Sequence, residues 1–276
     1  MTNAGKYTVI EGVKCFNPEV MSSYADYPDS GFQLTDENEE NSFWVRSRNR
    51  LFKAIVYNQA KVGRTKLLEI GCGTGGFIRH IVENENLEIT GSEVYISGLL
   101  YAKNKLPDVD FIQFDIVNGY LDQQFDLVIA FDVLEHIGDD VTAMANINRL
   151  LRPGGRAIIT VPQHMFLWSR LDEIVKHKRR YSRKELVTKL KNNGFDIIFA
   201  TSFVFILFPL MLVSRIFDKG FKQLKSEKVE LEKRVKFPLL LNIIFDFFMR
   251  IDETLIKAGV SLPFGGTLVI VAQKND

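Results

Sequence analysis

Leu67-Leu68-Glu69-Ile70-Gly71-Cys72-Gly73-Thr74-Gly75-Gly76-Phe77 is the stretch on which the fold turns. A short apolar run ends in an acid, a turn with glycine at alternate positions follows, and then a helical pattern begins. Glycine lets a backbone approach a ligand where a Cβ would clash. In open α/β sheets, the carboxyl end of a strand is where ligands bind. Gly71, Gly73 and Gly75 are spaced G-x-G-x-G. Dinucleotide loops read G-x-G-x-x-G and seat a pyrophosphate on a helix N-terminus. Glu69, just ahead of the first glycine, suits an ammonium group better than a pyrophosphate. Taken alone, the loop also reads as an ordinary glycine-rich strand-to-helix turn.

Further strands follow in order. Leu87 to Glu93 reads as the second, with Glu93 at its carboxyl end. An acid at that place, about twenty residues after the loop, hydrogen-bonds ribose hydroxyls in nucleotide-binding α/β folds. Val109 to Phe114 is the third and ends at Asp115. Phe125 to Phe131 is the fourth, followed by Asp132-Val133-Leu134-Glu135-His136-Ile137. Leu150-Leu151-Arg152-Pro153-Gly154-Gly155 leads into a fifth, Arg156 to Val161, and Pro162. Phe195 to Val204 and Thr267 to Gln273 read as the last two. Alternating strands and helices predict a mostly parallel sheet with helices on both faces.

These five signals, in this order and at this spacing, resemble class I S-adenosylmethionine (SAM)-dependent methyltransferases. The resemblance is firm from Leu67 to Pro162 and looser toward both ends. It implies a doubly wound, mostly parallel, seven-stranded Rossmann-like α/β sheet whose last strand runs antiparallel between the fifth and sixth. It implies SAM as cofactor and S-adenosylhomocysteine as product. On that reading Glu69, Gly71 and Gly73 belong to the cofactor loop and Glu93 meets the ribose. Asp115 meets the adenine amino group, Ile116 lines the ring, and Phe131 also contacts the cofactor.

The chain divides into an N-terminal cap (1–62), a core (63–204) with a lid (163–184), an apolar helical insertion (205–258) and a last strand (259–276). The cap carries an acidic run, Asp36 to Asn41, then Ser42-Phe43-Trp44-Val45-Arg46-Ser47-Arg48-Asn49-Arg50. That aromatic-then-arginine cluster resembles a cap of SAM methyltransferases associated with polysaccharide and lipid-linked glycan pathways. Arg46, or Arg50, is expected to hold the SAM carboxylate, since a guanidinium grips a carboxylate through two parallel hydrogen bonds. The plainer reading is a helix start with its aromatics in the core and its arginines in water.

By the same resemblance the lid overhangs the methyl group and faces the acceptor, with Trp168, Arg180 and Tyr181 as substrate contacts. Ser182 to Glu185 is independently a capping box. Methyl transfer is an in-line displacement in which the enzyme mainly aligns the reacting atoms. A hydroxyl acceptor usually also needs a base, and histidine is the commonest. His177 is favoured and His164 is second, while His136 is expected to pack near the cofactor. The basic run Lys176 to Lys184 reads as a solvated face, as a seat for an anionic group on the acceptor, or as an RNA contact. RNA ranks last, because no RNA-binding module accompanies the run and the net charge is only +1.

The 276 residues suit one α/β domain with additions. Cys15 and Cys72 are the only cysteines and the four histidines are scattered, so neither a disulfide framework nor a metal site is expected. The N-terminus lacks the pattern of a signal peptide, which makes the cytoplasm the default. Ile197 to Ser214 is uncharged, but its first part belongs to a strand and Pro209 interrupts the rest. A transmembrane helix is therefore not expected. Lys219, Lys222, Lys225 and Lys228 recur at intervals of three. In the apolar stretch Phe237 to Ile256 and just beyond it, Asn242, Asp246, Arg250, Glu253 and Lys257 form one narrow polar stripe on a helix. The wide apolar face left over needs a cover: the preceding helix, a second subunit in a homodimer, a long apolar substrate, or a membrane interface.

Together these features predict an O-directed SAM methyltransferase acting on a lipid-linked or membrane-presented acceptor, peripheral at the inner face of the membrane. A soluble methyltransferase of a small metabolite or peptide carboxylate is the alternative. A SAM-binding structural or regulatory protein is the non-enzymatic one.

Overall fold

The computed structural model describes residues 6–23, 42–220 and 237–275. A short hairpin, β1 (Thr8–Ile10) and β2 (Val13–Cys15), comes first, and helix α1 (Phe43–Gln59) follows. The first half of the core contains β3 (Thr65–Ile70), β4 (Leu87–Glu93), α2 (Ile96–Lys105), β5 (Asp110–Gln113), β6 (Phe125–Phe131) and α3 (Asp140–Leu150). Then come β7 (Leu151–Pro162), α4 (Arg170–Ile174), α5 (Arg183–Asn192), β8 (Phe195–Phe203), α6 (Phe208–Gly220), α7 (Leu239–Lys257) and β9 (Thr267–Lys274).

The sheet runs β1-β2-β5-β4-β3-β6-β7-β9-β8. Strands β3 to β7 pair in parallel, and β9 lies antiparallel between β7 and β8. The seven strands read from the sequence are thus present, in the implied order. The hairpin adds two more at the edge, where Lys14 of β2 pairs with Ile112 of β5. Strands of three residues are too short to leave a periodic signal.

Every residue of β6 is buried, as a central strand covered on both faces requires. Leu51, Phe52 and Val56 of α1, Leu99 of α2, and Met249 and Ile256 of α7 fill one side of the sheet. Met144 and Ile147 of α3 and Leu186 and Leu190 of α5 fill the other. Ser182 caps α5 by accepting the Glu185 amide at 3.2 Å.

Two expectations are corrected. No α-helix follows the glycine loop; the chain makes turns with one 3-10 turn at Ile78–His80. Gly71, Gly73 and Gly75 have φ of +70°, +54° and +76°, and the β-branched Ile78, Ile81 and Val82 come next. Both features disfavour a regular helix. Asn242, Asp246 and Glu253 of the α7 polar stripe also face inward, while Arg250 and Lys257 stay exposed. Asn242 accepts the Phe43 amide at 2.7 Å, and Arg50 contacts Glu253 at 2.6 Å and Asp246 at 3.0 Å. Leu239, Leu240, Ile243 and Phe247 are then left 76%, 68%, 57% and 61% exposed. Among the described residues no helix is long and apolar enough to cross a membrane. The acidic run Asp36 to Asn41 and Lys222, Lys225 and Lys228 lie outside the described residues.

Candidate active site

A cavity of about 390 Å³ opens at the carboxyl ends of β3, β4, β5 and β6. Its floor is the glycine loop. Gly71 adopts a left-handed φ of +70°, and a Cβ there would stand 2.6 Å from Val133 Cγ2. Glu69, 4% exposed, lies under the loop, and Cys72 lines it with a thiol pushed well up by burial and by the nearby Glu69 and Glu93.

Glu93 folds back on the loop. Its carboxylate accepts the amides of Val94 at 2.7 Å and Gly73 at 3.1 Å. Burial pushes its pKa up, while those amides draw it partly back. Asp115 is held by the Val117 amide at 2.8 Å and the Asn118 side chain at 2.7 Å, which aims this end of β5 at the cavity. Ile116 and Phe131 complete the apolar wall; Phe131 packs on Phe52 at 4.4 Å and on Phe77 at 4.9 Å.

The far wall is charged. Arg48 Nη2 lies 2.9 Å from Asp132 Oδ2. Asp132 holds a φ of +55°, uncommon for a residue with a Cβ, and Thr160 fixes it by donating at 3.0 Å. His136 also lines the cavity, and its pKa is lowered to about 4, first by burial and then by the charge of His177. Val175, Lys176 and Lys178 of the lid close that side.

A family model described as "Methyltransferase domain" matches residues 37–199, more than half of the chain. The chain belongs to this methyltransferase family. It is 25% identical over 161 residues to a "Probable S-adenosylmethionine-dependent methyltransferase" of Mycolicibacterium smegmatis, covering 57% of this chain and 61% of that relative. It is 28% identical over 177 residues to O-methyltransferase rstn1 of Aspergillus nomiae, covering 59% of this chain and 78% of the relative. A solved structure of Haemonchus contortus phosphoethanolamine N-methyltransferase 2 with S-adenosyl-L-methionine superposes at a TM-score of 0.60. That match has 20% identity and covers 97% of this chain and 62% of that one. By family the chain carries a methyltransferase domain and by fold it is like class I SAM-dependent methyltransferases; it spans about three fifths of the length of the Mycolicibacterium smegmatis relative.

In this methyltransferase the cavity brings together Glu69, Gly71, Gly73, Glu93, Asp115, Ile116 and Phe131. It leaves out Arg46, whose Nε stands 3.8 Å from Asp246 of α7, and Arg50, which also faces α7. Arg48, between them, is the arginine at the cavity. Residues two apart on a helix point to opposite sides, and Arg48 shares its side with Phe52, over whose ring it sits at 5.2 Å. That four-residue spacing to a core aromatic was the available signal.

The lid contacts expected at the acceptor are corrected as well. Tyr181 of the lid is fully buried and Arg180 is 7% exposed, with two hydrogen bonds to Asp172 at 2.7 and 3.0 Å. Trp168 is half-buried and does not line the cavity. Polar side chains engaged in this way anchor the lid. His164 stacks on Phe166 at 4.9 Å outside the cavity, and burial lowers its pKa. His177 sits one layer behind the wall, its ring 4.8 Å from that of His136.

Proposed function

We propose that this methyltransferase transfers the methyl group of SAM to an oxygen of an acceptor that is lipid-linked or otherwise presented at a membrane surface. The outward apolar face of α7 carries this reading. Four large apolar side chains more than half exposed on one helix form a patch that soluble monomers rarely leave open. Leu210 and Val213 of α6 and Met165 and Phe166 of the lid are also exposed. Phe166, Phe208 and Phe264 form a continuous aromatic chain from lid to α6, and Asp252 of α7 accepts the Ile206 amide at 3.2 Å. An apolar surface therefore adjoins the lid.

Anionic lipid suits the sequence nearby. Lys222, Lys225, Lys228, Lys233, Arg234 and Lys236 crowd the stretch that joins α6 to α7. Basic and apolar side chains in one segment are the composition of interfacial anchors. The O-methyltransferase named among the relatives favours oxygen as the acceptor atom.

In the reaction, the acceptor oxygen forms a bond to the methyl carbon as the carbon–sulfur bond breaks. S-adenosylhomocysteine leaves, and the hydroxyl proton passes to a base. Glu69 and Arg48 are proposed for the ammonium and carboxylate of SAM, Glu93 for its ribose, and Asp115 with Ile116 for its adenine. His136 replaces His177 and His164 as the proposed group nearest the acceptor, because it alone of the three lines the cavity.

Co-sedimentation with phosphatidylglycerol-containing vesicles tests the reading. The parent chain sediments, and added salt weakens it; a Leu240→Glu/Phe247→Glu variant stays in the supernatant. A folded parent that ignores vesicles overturns the membrane reading. If it then dimerises through this face, the acceptor is sought among soluble metabolites and peptide carboxylates.

A further inference from the structure

Glu135 is 0% exposed, and neither of its carboxylate oxygens has a hydrogen-bond partner. An unpaired buried charge is costly, so such groups normally neutralise or coordinate a cation. Other buried acids here do better: Asp172, Asp140 and Asp252 each accept two or more hydrogen bonds.

The groups facing Glu135 explain what it lacks. His177 Nδ1 lies 2.9 Å from Asp172 Oδ1, and Arg180 holds the same carboxylate from the other side. A carboxylate only accepts, so Nδ1 carries a proton, and Nε2 is the ring atom left for a further ligand. Nε2 is turned to Glu135 Oε1 at 3.8 Å, too far for a hydrogen bond. His177 Nε2 and Glu135 Oε1 thus face each other with no hydrogen bond between them. His136 joins them, and one ligand atom from each of the three groups lies within 4.8 Å of the others.

We propose that Glu135, His136 and His177 bind a divalent transition-metal ion, with zinc as the best fit. Two imidazoles and a carboxylate are a catalytic zinc set that leaves a fourth position open. Metal–ligand bonds of about 2.0–2.2 Å place tetrahedral ligand atoms about 3.4 Å apart, so the 3.8 Å Glu135–His177 pair closes slightly and the wider pairs, up to 4.8 Å, must close further. Asp172 acts as the outer partner that fixes the ring of a metal-bound histidine. The sequence spacing hides the set, because His136 and His177 stand 41 positions apart and only the folded lid joins them.

The open position is assigned to the side of His136, the one ligand of the three that lines the cavity. If the acceptor is a hydroxyl, as in the reading above on which this step rests, its oxygen occupies that position. An ion there would lower the hydroxyl pKa and so ease loss of the proton to the base, with no change in the oxidation state of the metal.

The test uses the full chain after dialysis against a chelator, with Co2+ as optical probe and Zn2+ as competitor. One equivalent of Co2+ gives visible d–d absorption, and Zn2+ abolishes it. Glu135→Gln and His177→Gln each lower Zn2+ affinity at least about 100-fold, beyond the effect of losing an outer partner, while SAM binding by calorimetry confirms their fold. A parent chain that binds SAM but shows no cobalt band, or variants that bind Zn2+ as the parent does, overturns the proposal. Metal binding without any methyl transfer would keep the site and sink the functional reading. Methyl transfer undiminished by chelation would remove the ion from the reaction.

Discussion

The Tyr181 hydroxyl donates to Asp140 Oδ2 at 2.7 Å and stands 3.2 Å from the Leu134 carbonyl. This bond ties the lid to the start of α3 from beneath. Tyr181→Phe removes one donor from a buried carboxylate, so unfolding free energy falls by about 1–2 kcal/mol. Urea titration measures it. SAM affinity stays at the parent value; a fall in affinity without a fall in stability would return Tyr181 to the site.

Asp140 carries the pH dependence of this joint. Burial pushes its carboxyl up, but Lys189 at 2.6 Å, Tyr181 and Arg179 more than offset that and leave it below the usual value. A depressed folded pKa contributes stability above the unfolded value of about 3.9, and that stability is lost as pH falls through the folded pKa. Asp140→Asn is therefore less stable at neutral pH, and its urea midpoint falls less steeply than the parent's on the acid side. Parallel acid limbs for the two proteins would show that Asp140 is not the group responsible.

Helix α7 is fastened by its polar stripe. Arg50 meets Glu253 through Nε and Nη2 and Asp246 through Nη1. Arg50→Ala leaves the 4% exposed Glu253 without that arginine and costs about 2–3 kcal/mol, less than a fully buried pair because the arginine is itself 28% exposed. Protease cleavage near the α6–α7 connection, measured beside the parent, accelerates. Equal rates would mean that apolar contacts alone hold the helix.

Cofactor affinity is expected to depend on two residues in separable ways. Glu93→Ala lowers SAM affinity at least about tenfold, or about 1.4 kcal/mol, by removing the ribose acceptor and the brace on the Gly73 amide. Gly71→Ala lowers affinity and also costs about 1–2 kcal/mol of stability, since a Cβ there would sit at φ +70° against Val133. Isothermal titration reports the first effect and thermal melting the second. Unchanged affinity in Glu93→Ala would sink its assignment to the ribose.

The strands, their order and the glycine loop were legible because their signals are local: apolar runs, alternate glycines, an acid at a strand end. Direction was not. Periodicity located the stripe from Asn242 to Lys257, but only Arg50 and the Phe43 amide, roughly two hundred positions away in the chain, decide that its Asn242 and Glu253 face inward. Arg46 and Arg48 differ by half a turn, and the cap sequence does not say which side meets the sheet. Arg180 and Tyr181 have the chemistry of substrate contacts. What removes them from that role is Asp172 and Asp140, partners that become neighbours only when the lid folds back.

The histidines separate by position. His164→Ala retains methyl transfer, because the ring stacks on Phe166 outside the cavity. His136→Ala loses most of it, measured with radiolabelled SAM once an acceptor is in hand. The reverse ranking would put the chemistry under the lid's outer edge.

Cys72 gives the molecule a built-in chemical gauge. The residue is 6% exposed in the floor of the cavity, and the other cysteine, Cys15, is buried on β2 between β1 and β5. Because the thiolate is the reactive form, a thiol held protonated reacts slowly until its surroundings open. Alkylation of Cys72, followed residue by residue by mass spectrometry, would therefore clock the breathing of the glycine loop. Saturating SAM would stop that clock while leaving the one at Cys15 running.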